Sequence, residues 1–111
     1  MKGIVFLGQH KLEIQEFKDP TPGPDEVILE IKASGMCGSD LKVYRAVDGP
    51  SSLGLGGEDK QVIAGHEPCG TIVELGKNVN KNNFKKDMNV MQHHYKGCGT
   101  CVHCSTGWQQ L

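Results

Sequence analysis

The segment "CGTCVHC" constrains the fold of this chain more than any other, because it sets three cysteines at regular intervals, at Cys98, Cys101 and Cys104. Two-residue gaps between cysteines allow a short loop to wrap its thiolates around one metal ion, and a structural zinc site is completed by four such ligands. Glycines within and beside the segment permit the tight turns that this loop needs. The segment therefore predicts a metal-binding loop that carries three ligands.

Two other interpretations of these cysteines compete with a zinc loop. Free surface thiols are one, although two successive two-residue gaps are rare by chance in a reduced protein. An iron–sulfur cluster is the other, but in bacterial ferredoxins the fourth cysteine follows after three residues and precedes a proline. The residues after Cys104 are "STGW", so the position of the fourth ligand argues against a cluster.

Charge and hydropathy exclude several classes of protein. The chain has 111 residues, with 12 Lys and Arg against 13 Asp and Glu, a balance that argues against nucleic-acid or anionic-membrane binding. No apolar run approaches the length of a transmembrane helix, and the run at 4–7 is too short for the core of a signal peptide. The odd number of cysteines, five, fits ligands or free thiols better than disulfides. We therefore expect a cytoplasmic protein with no nucleic-acid or membrane partner.

Short apolar and β-branched segments predict a mainly β fold with one or two short helices. In "EVILEIKASG" the alternation predicts that Val27, Leu29, Ile31 and Ala33 share one face of a strand. "SDLKVYRA" predicts a short helix capped by Ser39 or Asp40. "VDGPSSLGLGGEDKQ" predicts an exposed loop. The remaining predicted strands are "KGIVFL" and "KLEIQEF", which form a pair, and "CGTIVELG" and "DMNVMQHH".

A second group of residues suited to metal chemistry lies in two glycine-flanked turns. "GMCGSDL" contains Cys37, and "AGHEPCG" contains His66 and Glu67; all three residue types bind zinc, and a catalytic zinc site needs three protein ligands and an open position. Ser39 could place a hydroxyl near a metal-bound oxygen, and Asp40 could accept a hydrogen bond from a ligating imidazole. By spacing alone, a buried structural cysteine and a surface His–Glu pair remain alternatives.

Two further residues are interpreted without metal chemistry. Cys69 is expected to replace a small apolar residue, and His103, between two cysteines, is expected to face solvent. His93 and His94 could either line a pocket or face solvent.

"PGPDEVILEIKASGMCGSDL", "AGHEPCGTIVELG" and "GCGTCVHCSTG" together resemble the N-terminal motifs of the zinc-dependent medium-chain dehydrogenase/reductase family, the alcohol dehydrogenase-like enzymes, in the family's order. The resemblance covers the whole chain. It implies a GroES-like partial β-barrel and an enzyme that oxidises a small-molecule alcohol to an aldehyde or ketone by zinc-assisted hydride transfer to NAD or NADP.

The resemblance also implies a role for each matching residue. Cys37 and His66 correspond to two ligands of the catalytic zinc, and Glu67 to the acidic residue beside them. Ser39 corresponds to the hydroxyl that passes the substrate's proton toward solvent, and Asp40 to the partner of the ligating histidine. The three terminal cysteines, Cys98, Cys101 and Cys104, correspond to three of the four ligands of the structural zinc.

The resemblance further implies that residues 1–111 are the N-terminal part of a longer protein. The family's fourth structural cysteine would stand at position 112, and its third catalytic ligand and dinucleotide-binding domain lie further on. We expect the chain alone to be inactive, to hold zinc incompletely, and to have a frayed loop from Gly97 onward. A stand-alone zinc-binding module and a chaperonin-like interaction module are the rival functions, and a homo-oligomer is possible for the parent.

Overall fold

Seven secondary-structure elements lie within the residues that the computed structural model describes, 1–47 and 62–110. The predicted loop at 47–61 lies almost entirely outside these residues. In the described parts of the chain no helix is both long and apolar enough to cross a membrane. The elements are β1 (Lys2–Gly8), β2 (Lys11–Glu16), β3 (Val27–Gly35), α1 (Gly38–Arg45), β4 (Glu67–Leu75), β5 (Asn89–Met91) and α2 (Val102–Ser105).

Strands β1 and β2 form the predicted antiparallel hairpin, with Lys2 opposite Glu16 and Phe6 opposite Leu12. Its turn residues, Gln9 and His10, have positive φ angles of 51° and 62°. Non-glycine residues rarely adopt this conformation, and here it is held from outside the hairpin. The backbone N–H groups of Gln9 and His10 donate to carbonyls at the end of α1, at 2.8 and 2.9 Å. The hairpin turn therefore caps the C-terminal end of α1.

The second sheet has the order β3-β4-β5, with both neighbouring pairs antiparallel. Gly35 at the end of β3 pairs with Glu67 at the start of β4, so the turns that follow β3 and precede β4 lie at the same edge. Gly70 in the middle of β4 is buried, and an added Cβ would meet the backbone of Glu30 and Ile31 on β3. Glycine at this position therefore permits the close approach of the two strands.

Helix α1 begins at Gly38, one residue before the predicted segment. Its N-cap is Cys37, with extended φ and ψ, and neither Ser39 nor Asp40. Asp40 lies one turn inside the helix, where its Oδ2 accepts a hydrogen bond from the Cys37 backbone N–H at 2.9 Å. The carboxylate satisfies an N–H at the helix start from within the helix, so the capping prediction is wrong.

The core lies between β1, α1 and the segment before β4. Val5 and Phe6 are buried, Val5 bridges to Ile63, and the Phe6 ring lies 5.6 Å from that of Tyr44 on α1. Ile72 on β4 is fully buried. This packing fixes α1, and with it Cys37 and Asp40, against the first hairpin.

The mainly β class with two short helices is confirmed, but two details of the strand predictions are wrong. The four residues predicted to share one face of β3 do not form one regular face, and the last two, Ile31 (52% exposed) and Ala33, are exposed. Register shifts between Ile28 and Leu29 and between Ile31 and Ala33 interrupt the alternation. Strand β5 is also shorter than predicted, because it pairs with β4 only as far as Met91.

Candidate metal centres

The first candidate centre brings together Cys37, His66 and Glu67, whose ligand atoms all lie within 4.8 Å of one another. Cys37 stands between β3 and α1, His66 directly precedes β4, and Glu67 is the first residue of β4. The antiparallel pairing of β3 with β4 places these two turns side by side, although they are far apart in the sequence. A thiolate, an imidazole and a carboxylate form a donor set that suits zinc.

Asp40 connects two members of this centre. It is 7% exposed, and its Oδ1 lies 3.2 Å from His66 Nδ1 while its Oδ2 accepts from the Cys37 backbone. Because a carboxylate only accepts, this hydrogen bond requires the proton of His66 on Nδ1, and in that tautomer Nε2 is available to bind a metal. A carboxylate behind a histidine in this way fixes the tautomer and orientation of a metal ligand.

The hydrogen bonds of the first centre shift the pKa values of Cys37 and His66 toward the charged form of each residue. Hydrogen bonds from the Ser39 backbone, then from its hydroxyl, and then from His66 lower the pKa of Cys37. The hydrogen bond to Cys37, followed by that to Asp40, raises the pKa of His66. A metal ion would bind the thiolate of Cys37 and the neutral imidazole of His66, so metal binding would release protons.

Glycines leave room around the first centre. An added Cβ at Gly35 would collide with the Glu67 carboxylate, and one at Gly65 would lie 2.7 Å from Ser34 Oγ. Gly65 also has a φ of 87°, which suits glycine. A cavity of about 310 Å³ opens beside the centre, and Ser39, Asp40 and His66 are among its lining residues. The rest of its wall, which includes Phe6, is largely apolar.

A group of aromatic rings flanks His66 on another side. The His94 ring lies 5.3 Å from that of His66 and 4.1 Å from that of Tyr95. His93 lies within 5.6 Å of both His94 and Tyr95, and all three residues are exposed. His94 therefore borders the first centre, and the His94 side chain is itself exposed to solvent.

The second candidate centre consists of Cys98, Cys101 and Cys104, with sulfur atoms within 4.8 Å of one another. Cys98 Sγ and Cys104 Sγ are 3.8 Å apart. Tetrahedral zinc with Zn–S bonds of about 2.3 Å requires sulfurs about 3.8 Å apart, so this pair fits a zinc ion. An added Cβ at Gly97 would lie 2.5 Å from Cys104 Sγ, so glycine there leaves space for the sulfur.

The terminal loop has hydrogen bonds of its own, and its fraying without a complete set of metal ligands stays a prediction. The N–H of Trp108 donates to the His103 carbonyl at 2.7 Å, and that of Gly107 donates to the Cys104 carbonyl at 3.3 Å. With Gly107 at φ 85°, this is a Schellman motif that ends α2. The hydrogen bonds of this motif do not involve a metal ligand's side chain. The sequence signal for it was a glycine after a short polar turn.

The pKa of Cys98 is lowered to about 6. The main causes are hydrogen bonds from the backbone and then the hydroxyl of Thr100, followed by those from Cys101. A thiolate is the form that binds zinc, so Cys98 is prepared for metal at neutral pH.

The two residues interpreted without metal chemistry differ in outcome. His103 faces solvent, as predicted. Cys69, expected to replace a small apolar residue, is exposed on β4 opposite Met91. Neither residue belongs to a candidate centre in the described parts of the chain.

Comparison with known proteins identifies the family. Residues 23–111 match the alcohol dehydrogenase GroES-like domain, and the chain belongs to this family. It is 36% identical over 97% of its length to an uncharacterized zinc-type alcohol dehydrogenase-like protein of Escherichia coli, YphC, of which it covers 30%.

Solved structures agree with this assignment. An oxidoreductase/dehydrogenase of unknown specificity from E. coli superposes with a TM-score of 0.83 at 27% identity, over 99% of this chain and 30% of that one. A cobalt- and zinc-bound thermostable alcohol dehydrogenase from Pyrobaculum aerophilum superposes with a TM-score of 0.79 at 27% identity, over 100% of this chain and 32% of that one. The chain thus spans about a third of the length of the proteins that it matches.

Proposed function

We propose that this chain is the zinc-binding N-terminal part of an NAD(P)-dependent alcohol dehydrogenase. The observation that carries the proposal is the convergence of Cys37, His66 and Glu67 beside a cavity, with Asp40 buried behind the histidine. Membership in the alcohol dehydrogenase GroES-like family supports it. The zinc-type name of the E. coli relative supports zinc as the metal.

In the first centre, Cys37 and His66 would hold a catalytic zinc, with Glu67 able to approach or replace a ligand. Zinc there would supply a Lewis acid that polarises a substrate oxygen and lowers its pKa. Asp40, whose Oδ1 lies 3.2 Å from His66 Nδ1, would keep the histidine proton on Nδ1 and leave Nε2 as the metal ligand. Ser39 lines the cavity and is exposed, so its hydroxyl can take the proton of an alcohol and pass it to solvent.

The second centre has a structural role in this proposal. Cys98, Cys101 and Cys104 would hold a zinc ion that stabilises the terminal loop, with a fourth ligand from outside the described residues. The cysteines are far from the cavity in sequence and do not line it. Loss of this ion would act on stability before it acted on chemistry.

The parent protein would supply what these residues do not. NAD or NADP would accept a hydride and would be bound by a dinucleotide-binding domain beyond this chain. The parent would act in the cytoplasm on a small-molecule alcohol, without nucleic-acid or membrane partners, and could form a homo-oligomer. The 111-residue chain alone would have no turnover, because it has no glycine-rich strand–turn–helix motif for a pyrophosphate.

The test is an assay of the full-length protein and of the 111-residue chain with NAD or NADP and a panel of small alcohols, at matched zinc. We expect turnover by the full-length protein alone, and its loss to background in C37A. Cys69→Ala is the matched control, since Cys69 is an exposed cysteine outside both centres, and it should retain full turnover. Turnover that survives in C37A, or that occurs in the 111-residue chain, would contradict the proposal.

A further inference from the structure

Thr100 lies in the two-residue gap between the first two cysteines of the terminal loop. Its Oγ1 is 3.6 Å from Cys98 Sγ, within hydrogen-bonding range for a sulfur acceptor. The preceding residue, Gly99, has a φ of 78°, and this turn brings the threonine back over the sulfur. The contact is therefore built by the loop and links a hydroxyl to a candidate metal ligand.

The other two hydroxyls of the loop behave differently. Ser105 Oγ and Thr106 Oγ1 donate to the Val102 carbonyl, at 2.9 and 2.8 Å, and make no bond to sulfur. They stabilise the backbone of α2 only. Thr100 thus differs from its neighbours in the group that its hydroxyl contacts, and Thr106 offers a matched control.

We propose that Thr100 is a positioning residue of the terminal metal centre, whose hydroxyl donates to the Cys98 sulfur and directs it toward the ion. The inference rests on the proposed metal centre. A metal-bound thiolate keeps negative charge, and a donor aimed at it strengthens the bond network around the ion. Partners of metal ligands of this kind typically contribute about 10- to 100-fold to metal affinity.

Thr100 is exposed, and this exposure sets how much metal affinity should be lost when its hydroxyl is removed. Water can replace part of the lost hydrogen bond, so we expect a loss of affinity near the lower limit, about 10-fold, for Thr100→Val. Valine keeps the shape of threonine without the hydroxyl. Thr100→Ser restores the hydroxyl and should restore affinity.

The experiment is a Co²⁺ titration of the full-length protein at fixed pH, followed by competition with Zn²⁺. All variants carry Cys37→Ala, so that the signal comes from the terminal cysteines. We expect T100V to bind Co²⁺ about 10-fold more weakly and to shift the sulfur-to-cobalt charge-transfer band. T100S should match the parent in both readouts, and T106V should leave the band unchanged. T100A provides a second hydroxyl-free variant if T100V does not fold.

Each remaining outcome overturns the inference in a distinguishable way. Affinity and band position unchanged in T100V and T100A would show that the hydroxyl does not act on the sulfur. Equal weakening in T100V and T106V, without a band shift, would show a general effect on the loop. If the C37A protein with Thr100 unchanged bound neither Co²⁺ nor Zn²⁺, the terminal metal centre itself would be overturned, and this inference with it.

Discussion

At the residue scale, Asp40 holds the geometry of the first centre. Its two oxygens bond to the His66 ring and to the backbone of Cys37, and the carboxylate is nearly buried. A buried carboxylate with both oxygens occupied cannot be exchanged for a neutral group without loss, because one partner becomes unsatisfied. The positions of two candidate ligands therefore depend on one side chain.

Asp40→Asn should weaken zinc binding at the first centre by about 10- to 100-fold, since the amide is a poorer acceptor for the His66 proton. It should also lower the free energy of unfolding by about 1–2 kcal/mol. Competition with a zinc chelator and urea denaturation measure the two effects. Glu74→Gln, an exposed carboxylate on β4, is the control and should change neither. Unaltered zinc affinity in D40N would contradict the role of Asp40.

The thiol of Cys98 gives a pH-dependent prediction. With a pKa of about 6, it should be mostly thiolate at pH 7 in the metal-free protein, and only the thiolate reacts with iodoacetamide. Its alkylation rate should rise through pH 6 and then level off. Peptide mass spectrometry follows each cysteine separately, with exposed Cys69 as the comparison. A Cys98 rate that still climbs steeply between about pH 7 and 9 would show an ordinary thiol.

At the scale of elements, the pairing of β3 with β4 decides where the first centre forms. This pairing depends on Gly70, against which the backbone of β3 lies without space for a side chain. The ends of the two strands carry Cys37 and His66 into contact. Separation of the strands would therefore disturb the metal site as well as the sheet.

Gly70→Ala should destabilise the domain by about 2–3 kcal/mol, since the added methyl group would force the two backbones apart. Gly38→Ala is the matched control. Gly38 begins α1, nothing lies within 4 Å of its added Cβ, and the change should be neutral or stabilising by up to about 1 kcal/mol. Thermal unfolding of both variants makes the comparison, and equal stability of G70A and the parent would contradict the close packing.

The elements differ in how far the sequence predicts them. The hairpin, β3 and β4 are predicted because each carries an apolar segment with its own turn signal. The cap of α1 is not predicted by the sequence, because it depends on a hydrogen bond from the Cys37 backbone to a carboxylate one turn later. The end of β5 is not predicted by the sequence either, because it is set by the number of β4 residues that are available to pair with β5.

In the candidate site, too, features set by neighbouring residues could be predicted from the sequence, whereas features set by strand pairing could not. The spacing of Cys98, Cys101 and Cys104 is local and already indicated a shared ion. The convergence of Cys37 and His66 depends on strand pairing, so spacing alone left it open and the family resemblance suggested it. The contact of Thr100 with Cys98 depends on the conformation of one glycine, and nothing in the sequence pattern indicated it.

At the scale of the whole molecule, much apolar surface is exposed for a chain of this size. The buried hydrophobic residues in the described parts are Val5, Phe6 and Ile72. Met91 is 84% exposed and Trp108 is 57% exposed, and other large apolar side chains on β1, β2 and β3 are also accessible. So many exposed apolar side chains are typical of a protein surface that packs against another part of a protein.

The isolated 111-residue chain should therefore self-associate and bind a hydrophobic dye. The full-length protein should show less dye binding per chain, because the proposed remainder covers this surface. Light scattering and dye fluorescence at matched concentration measure both properties. A dye-free monomer of the isolated chain would show that its apolar surface needs no cover.

The central claim is that the two groups of residues are zinc sites. The most direct test is an anomalous difference map at the zinc absorption edge, from crystals of the full-length protein purified without added metal. We predict one peak between Cys37 and His66 and a second among Cys98, Cys101 and Cys104. Absence of a peak at the first group would contradict the proposed catalytic centre, and absence at the second would contradict the proposed structural centre.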